Sequence, residues 1–247
     1  APNSIQEPQP SPGDWFGDGL ALDGTMLGVG APRDDAAAID AGVVRVYELV
    51  GYEWDLQETL FAGDPGPDAA FGAAVALDGD TLVVGSPFHE NSGGEDAGAA
   101  YIFERASGGG PWNEVAVLHS VAPYDHSWFG ESVAVQGDLV AVGERTHVSL
   151  YRRAGTTWSL EQVLSVPSGH FGWSVDITGD LIAVGDPDAF VAQNNTDSGA
   201  VHLYEWDGTE FVELAYLYAE DETSKFGFSV ATTQDTVVIG AYDDGPQ

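Results

Sequence analysis

Acidic side chains gather in three polar stretches: "APRDDAAAID" from Ala31, "SPFHENSGGED" from Ser86 and "DPDAFVAQNNTD" from Asp186. Carboxylates on a loop offer oxygen ligands to a hard cation, so Asp186, Asp188 and the nearby Asp197 are the calcium candidates. Paired acids could also serve glycoside hydrolysis. With 40 acidic residues in a chain of 247, such pairs arise by chance and do not mark an active site. The six histidines (His89, His119, His126, His147, His170 and His202) are scattered, with no H-E-x-x-H. No G-x-S-x-G nucleophile turn occurs, and the absence of cysteine removes thiolate chemistry and disulfides. The expectation is a non-enzyme without a cofactor, calcium in the acidic loops being the alternative. Stacking chemistry is better supplied. Trp15, Trp128 and His170 stand immediately before a recurring Phe-Gly pair at a position that also holds Ala70 and Lys225. Such variation suggests a surface, so Trp15, Trp128 and His170, with His89 from the second acidic stretch, are the ligand-binding candidates. Asn194-Asn195-Thr196 is a glycosylation sequon, which points to Asn194 in a secreted chain.

The elements that must position these residues come from an internal repeat. Units beginning at Phe16, Phe71, Phe129, Phe171 and Phe226 align without a gap, as in "FGAAVALDGDTLVVGSP" and "FGWSVDITGDLIAVGDP". Each opens with two short apolar runs about a tight turn, in which Gly79, Gly137 and Gly179 supply positive φ while Gln234 breaks the pattern. A second glycine (Gly30, Gly85, Gly143, Gly185, Gly240) closes the second run, where the backbone must bend away or pass close to a neighbour. A polar loop follows, then "DAGVVRVYEL", "DAGAAYIFER" or "DSGAVHLYEW", then a run with an aromatic such as Trp54, Trp112 or Trp158, expected to be core. The recurrent Asp40, Asp96 and Asp197 read as turn formers. Runs such as "TLVVG" and "LIAVG" are apolar on both faces, so their strands must be covered on both sides. Four-stranded units of this size, each sandwiched between neighbours, predict an all-β fold: a β-propeller of four-stranded antiparallel blades. The loop between strands two and three lies on one face, and it shrinks in the third unit to "ERTH" from Glu144, leaving a notch.

The Phe-Gly openings, the "VGAP", "VGSP" and "VGDP" closures, and the D-x-G-x-x-Y-x-F pattern, met by Asp96, Gly98, Tyr101 and Phe103 and in part by Asp197, Gly199 and Tyr204, resemble the FG-GAP repeat family. The similarity is greatest to its secreted bacterial and archaeal type. Its relatives, the integrin α-subunit propellers, imply an extracellular ring used for adhesion or ligand binding, with calcium in some blade hairpins. This chain departs in two ways. Its strand-one to strand-two junctions are tight turns too short to wrap calcium, and it has five Phe-Gly units, the last stopping after its second strand. The expectation is a single domain over residues 1–247 with five repeats and a closing blade shared between the termini, residues 1–15 completing it. The alternative is a piece of a longer array.

A formal charge of −33, with seven basic residues of which Lys225 is the sole lysine, excludes nucleic acid. It suits a salt-adapted, halophilic surface whose carboxylates stay hydrated while salt screens their repulsion. There is no apolar run long enough to insert in a membrane, and a start with neither a basic nor an apolar stretch reads as mature or excised. The expected function is a non-catalytic extracellular module for adhesion, assembly or carbohydrate binding, its partner a protein or carbohydrate on the loop face. The alternatives are a propeller-type polysaccharide hydrolase or lyase, and a surface-layer or filament subunit self-assembling through terminal strands.

Overall fold

A computed structural model describes residues 5–8, 10–166, 170–191, 197–219 and 225–242. Among these residues there is no helix, and eighteen strands form five antiparallel sheets. The first holds β1 (Leu20–Asp23), β2 (Met26–Ala31), β3 (Val43–Val50) and β4 (Glu53–Leu60); the second, β5 (Ala74–Asp78), β6 (Thr81–Ser86), β7 (Ala99–Glu104) and β8 (Asn113–Leu118). The third holds β9 (Ser132–Gln136), β10 (Leu139–Glu144), β11 (His147–Ala154) and β12 (Thr157–Ser165); the fourth, β13 (Ser174–Thr178), β14 (Leu181–Asp186), β15 (Ala200–Trp206) and β16 (Phe211–Tyr218). The fifth has two strands, β17 (Phe226–Thr232) and β18 (Val237–Ala241). Each sheet is a meander in sequence order. The chain divides into two compact units, residues 1–130 and 131–247.

The repeat predicts these elements for physical reasons visible in the registers. Asp78 pairs with Thr81, leaving the two-residue loop Gly79-Asp80, and Gly79 takes φ 56°. Gly24, Gly137 and Gly179 do the same at 56°, 55° and 62°. A glycine in the first loop position is what a tight hairpin matching the strand twist requires. Where Gln234 replaces it, Thr232 pairs with Val237 and the loop widens, closed by the Thr233 N–H donating to the Thr236 carbonyl at 2.8 Å. Every residue of β6 and β10 is buried, as strands apolar on both faces must be.

The core lies between successive sheets inside each unit. In the first unit Met26, Val44 and Val46 pack with Phe71, Leu82, Val84 and Tyr101 of the next repeat. In the second, Ala141, Leu150 and Leu164 meet Phe171, Ile182 and Val184, while Ala183, Val201 and Leu203 meet Phe226, Val230 and Ile239. Phe71, Phe129 and Phe171 are fully buried.

The closing glycine of the second strand passes close to a neighbour. A Cβ on Gly30 would strike the carbonyl oxygen of Gly72, and Gly85, Gly143 and Gly185 stand in the same relation to Gly130, Gly172 and Gly227. Each partner is the glycine of the next repeat's Phe-Gly, itself at φ 93° to 106°. The Gly72 N–H holds the Phe-Gly turn to its own second strand through the Gly85 carbonyl at 3.0 Å, and the Phe71 N–H ties it to the preceding repeat through the Ala41 carbonyl at 2.9 Å. Asp40 and Asp96 sit at φ 49° and 48°, a region that Asp tolerates better than most residues. Their carbonyls receive the N–H groups of Ala70 and Trp128, so the turn function expected of them runs through the backbone.

Two features depart from the sequence pattern. A register shift recurs in strand three at Val46/Tyr47, Ile102/Phe103, Leu150/Tyr151 and Leu203/Tyr204, placing one extra residue in each outer strand and sharpening its twist. The expected shared closing blade is not seen among the described residues. Residues 5–8 form no strand, and β17–β18 stand as a two-stranded sheet. Pro8, Pro10 and Pro12 strip the N-terminal segment of alternate N–H donors. Glu7 is tied instead to Arg45 of β3 at 2.9 Å.

Candidate functional site

In the second unit, the residue after Phe-Gly is Glu131, Trp173 and Phe228 in successive repeats. Trp173 and Phe228 belong to an aromatic row. His170 lies 5.7 Å from Trp173, Trp173 5.3 Å from Phe228, and Phe228 5.7 Å from Tyr242, with interplanar angles of 30° to 42°. Core ring pairs differ: Phe71 meets Tyr101 and Phe103 edge-on at 74° and 72°. Phe228 is 43% and Tyr242 56% exposed, so the row opens to solvent at one end.

Its other end is polar. The Arg145 Nε donates to His170 Nε2 at 3.0 Å, and His170 Nδ1 meets Asp188 Oδ2 at 2.6 Å. An arginine donor on Nε2 fixes the tautomer that carries its proton on Nδ1. Lys225 holds the other Asp188 oxygen at 2.6 Å. Burial lowers the His170 pKa against the pull of Asp188. Burial opposes ionisation of Asp188 too, yet Lys225 and His170 keep its pKa below the usual carboxylate value. Asp186 closes β14 fully buried, accepting the His170 N–H on Oδ1 at 2.7 Å, and burial pushes its pKa up to about 7. Burial does the same to Glu131, also to about 7, against Arg145. Arg145 comes from the shortened third loop, so the notch read in the sequence is where this network forms.

Such an arrangement combines apolar ring surface with fixed donors and acceptors, the makeup of a small-ligand site. The structure distributes the other candidates differently. Trp15 is 53% exposed in the first unit, at φ 57° with the Arg33 guanidinium 3.7 Å above its ring. It borders a shallow depression of about 450 Å³ with Phe16 and Asp18. Trp128 is half-buried, edge-on to Phe88 at 5.9 Å. His89 is buried, packed edge-on against Tyr101 and 3.5 Å from Asp64, with its pKa lowered by burial. Only His170 of the four candidates joins the aromatic row. Asp188 has both oxygens taken, one by Lys225 and one by His170, Asp197 is exposed, and Asn194 lies outside the described residues. Trp173, Phe228 and Tyr242 escaped the sequence reading. The signal was the residue after Phe-Gly, aromatic in two successive repeats. Trp112 and Trp158 are buried, as expected of core, whereas Trp54, expected there too, is half-buried on β4.

Among the described residues no helix is long and apolar enough to cross a membrane. A comparison with curated protein sequences finds no match. The fold is similar to the crystal structure of a protein from Lactobacillus plantarum, with a TM-score of 0.55 and 17% identity over 84% of this chain. The chain spans 58% of that protein's length. Residues 54–103 and 166–204, which contain Phe71-Gly72 and Phe171-Gly172, match the FG-GAP repeat, and the chain carries repeats of that family.

Proposed function

We propose that the chain is a non-catalytic extracellular binding module, its FG-GAP repeats arranged as propeller blades and its loop face engaging carbohydrate or protein. Repeated four-stranded meanders support the propeller reading, since closure into a ring would remove sheet edges. The observation that carries the binding reading is the row His170, Trp173, Phe228 and Tyr242 ending on Arg145 and Asp188. Aromatic faces stack on sugar rings, and the polar end suits hydroxyl groups. The salt-adapted reading rests on charge: with a formal net charge of −33, all seven basic side chains are engaged by a carboxylate or a ring. The test is a glycan array in molar salt, with and without calcium, using wild type, Trp173→Ala and Phe228→Ala. Binding lost in both variants is the expected result. A blank array, or binding that survives both substitutions, counts against it.

A polysaccharide hydrolase or lyase is the second reading, favoured by two carboxylic acids, Glu131 and Asp186, held protonated up to about pH 7. It requires sugar release that disappears in Glu131→Gln.

A further inference from the structure

In the first unit, three carboxylates converge where the N-terminal segment meets β3. Glu7, Asp14 and Asp34 each offer an oxygen within 4.8 Å of the others. Asp14 and Asp34 are buried, and the Glu7 side chain is 8% exposed. Arg45 supplies one positive charge, donating to Glu7 at 2.9 Å and to Asp34 at 2.6 Å. One guanidinium against three carboxylates leaves the cluster short of positive charge, and unpaired buried charge is costly. Tyr47 lies two residues along β3 from Arg45, on the same face. It is 3% exposed, feels the charges of both Arg45 and Glu7, and its hydroxyl has no partner among the described residues. A buried hydroxyl beside buried carboxylates calls for something between them.

We infer that Glu7, Asp14 and Asp34 form a calcium site that fastens the N-terminal segment to the first sheet. The donor set is all oxygen, with no His or Cys, which suits a hard cation over zinc. Oxygens up to 4.8 Å apart fit around an ion bound at about 2.3–2.6 Å, whereas magnesium demands a tighter octahedron at about 2.0–2.1 Å. A water on the ion would partner the Tyr47 hydroxyl. The site uses none of the hairpin-turn residues and none of Asp186, Asp188 and Asp197, and it does not depend on the ligand reading of the second unit.

The experiment is isothermal titration of calcium chloride into the EDTA-treated full chain in about 1 M NaCl, where diffuse attraction is screened beyond about 3 Å. The expected result is one calcium per chain, no measurable binding in Asp14→Asn, and about tenfold weaker binding in Tyr47→Phe. Circular dichroism checks that both variants fold, and Tyr47→Phe decides the question if Asp14→Asn does not. No saturable binding by wild type, or the same affinity in a folded variant, overturns the site.

Discussion

Asp186 shows how a single buried group governs the behaviour of this chain. Its pKa rises from 3.8 to about 7, with burial the main cause. Between those values the folded state keeps a proton that the unfolded state has released, so stability falls as pH rises from about 4 to about 7. Glu131 adds to the same slope. Asn at position 186 keeps the acceptor for the His170 N–H without the titration. In urea unfolding in molar salt from pH 5 to pH 8, Asp186 and Glu131 should therefore contribute a fall of a few kcal/mol, against an opposing rise from His89, His147, His170 and His202, whose pKa values burial lowers. Asp186→Asn should flatten that fall, and an equal slope in the variant would contradict the assignment. At this scale the sequence was least legible. His89 looked like a loop ligand, yet Tyr101 and Asp64 draw it inside. One aligned core position holds Arg45, Tyr101, Ser149 and His202, all buried. Three of them find acids distant in sequence or across a strand: Glu7 and Asp34 for Arg45, Asp64 for Tyr101, Glu213 for His202. No spacing rule foretells such partners, because each comes from a different place: Asp34 and Glu213 from the same repeat, Asp64 from the preceding one and Glu7 from the N-terminal segment.

At the scale of the element the sequence was far more legible, because hairpin and strand patterns are local. The short apolar runs, the Gly-Asp turns and the doubly apolar second strands each impose a backbone outcome within a few residues. The recurrent bulge in the outer strands was not legible, since it reflects a twist demanded by neighbouring sheets. Contacts between a strand and the linker ahead of its own repeat should carry measurable stability. The Tyr101 hydroxyl donates to Asp64 at 2.8 Å. Because the Asp64 side chain is 58% exposed and can be rehydrated, Tyr101→Phe should cost only about 1 kcal/mol in chemical denaturation. A loss of several kcal/mol would mean that the longer contact of the hydroxyl with His89 Nδ1, at 3.4 Å, carries stability as well. The turns offer a second check. Gly79 has φ 56° with open space around it, so Gly79→Ala should cost about 1–2 kcal/mol through backbone strain alone.

For the molecule as a whole, stability is approximately a sum over repeats and the joints between them, as in other repeat proteins. Charge enters at this scale too. With a net charge of −33, self-repulsion grows as salt is removed. The thermal midpoint should therefore climb steadily from dilute buffer to molar sodium chloride, and a midpoint indifferent to salt would contradict the salt-adapted reading. The joints rest on paired glycines, where the second-strand glycine of one repeat lies against the Phe-Gly carbonyl of the next. The most direct measurement compares equilibrium unfolding of Gly85→Ala and Gly79→Ala with wild type. Gly85→Ala forces a methyl group into the Gly130 carbonyl and should cost at least about 3 kcal/mol, well beyond the turn variant. Equal losses in the two variants would contradict the stacking of successive repeats through their glycines.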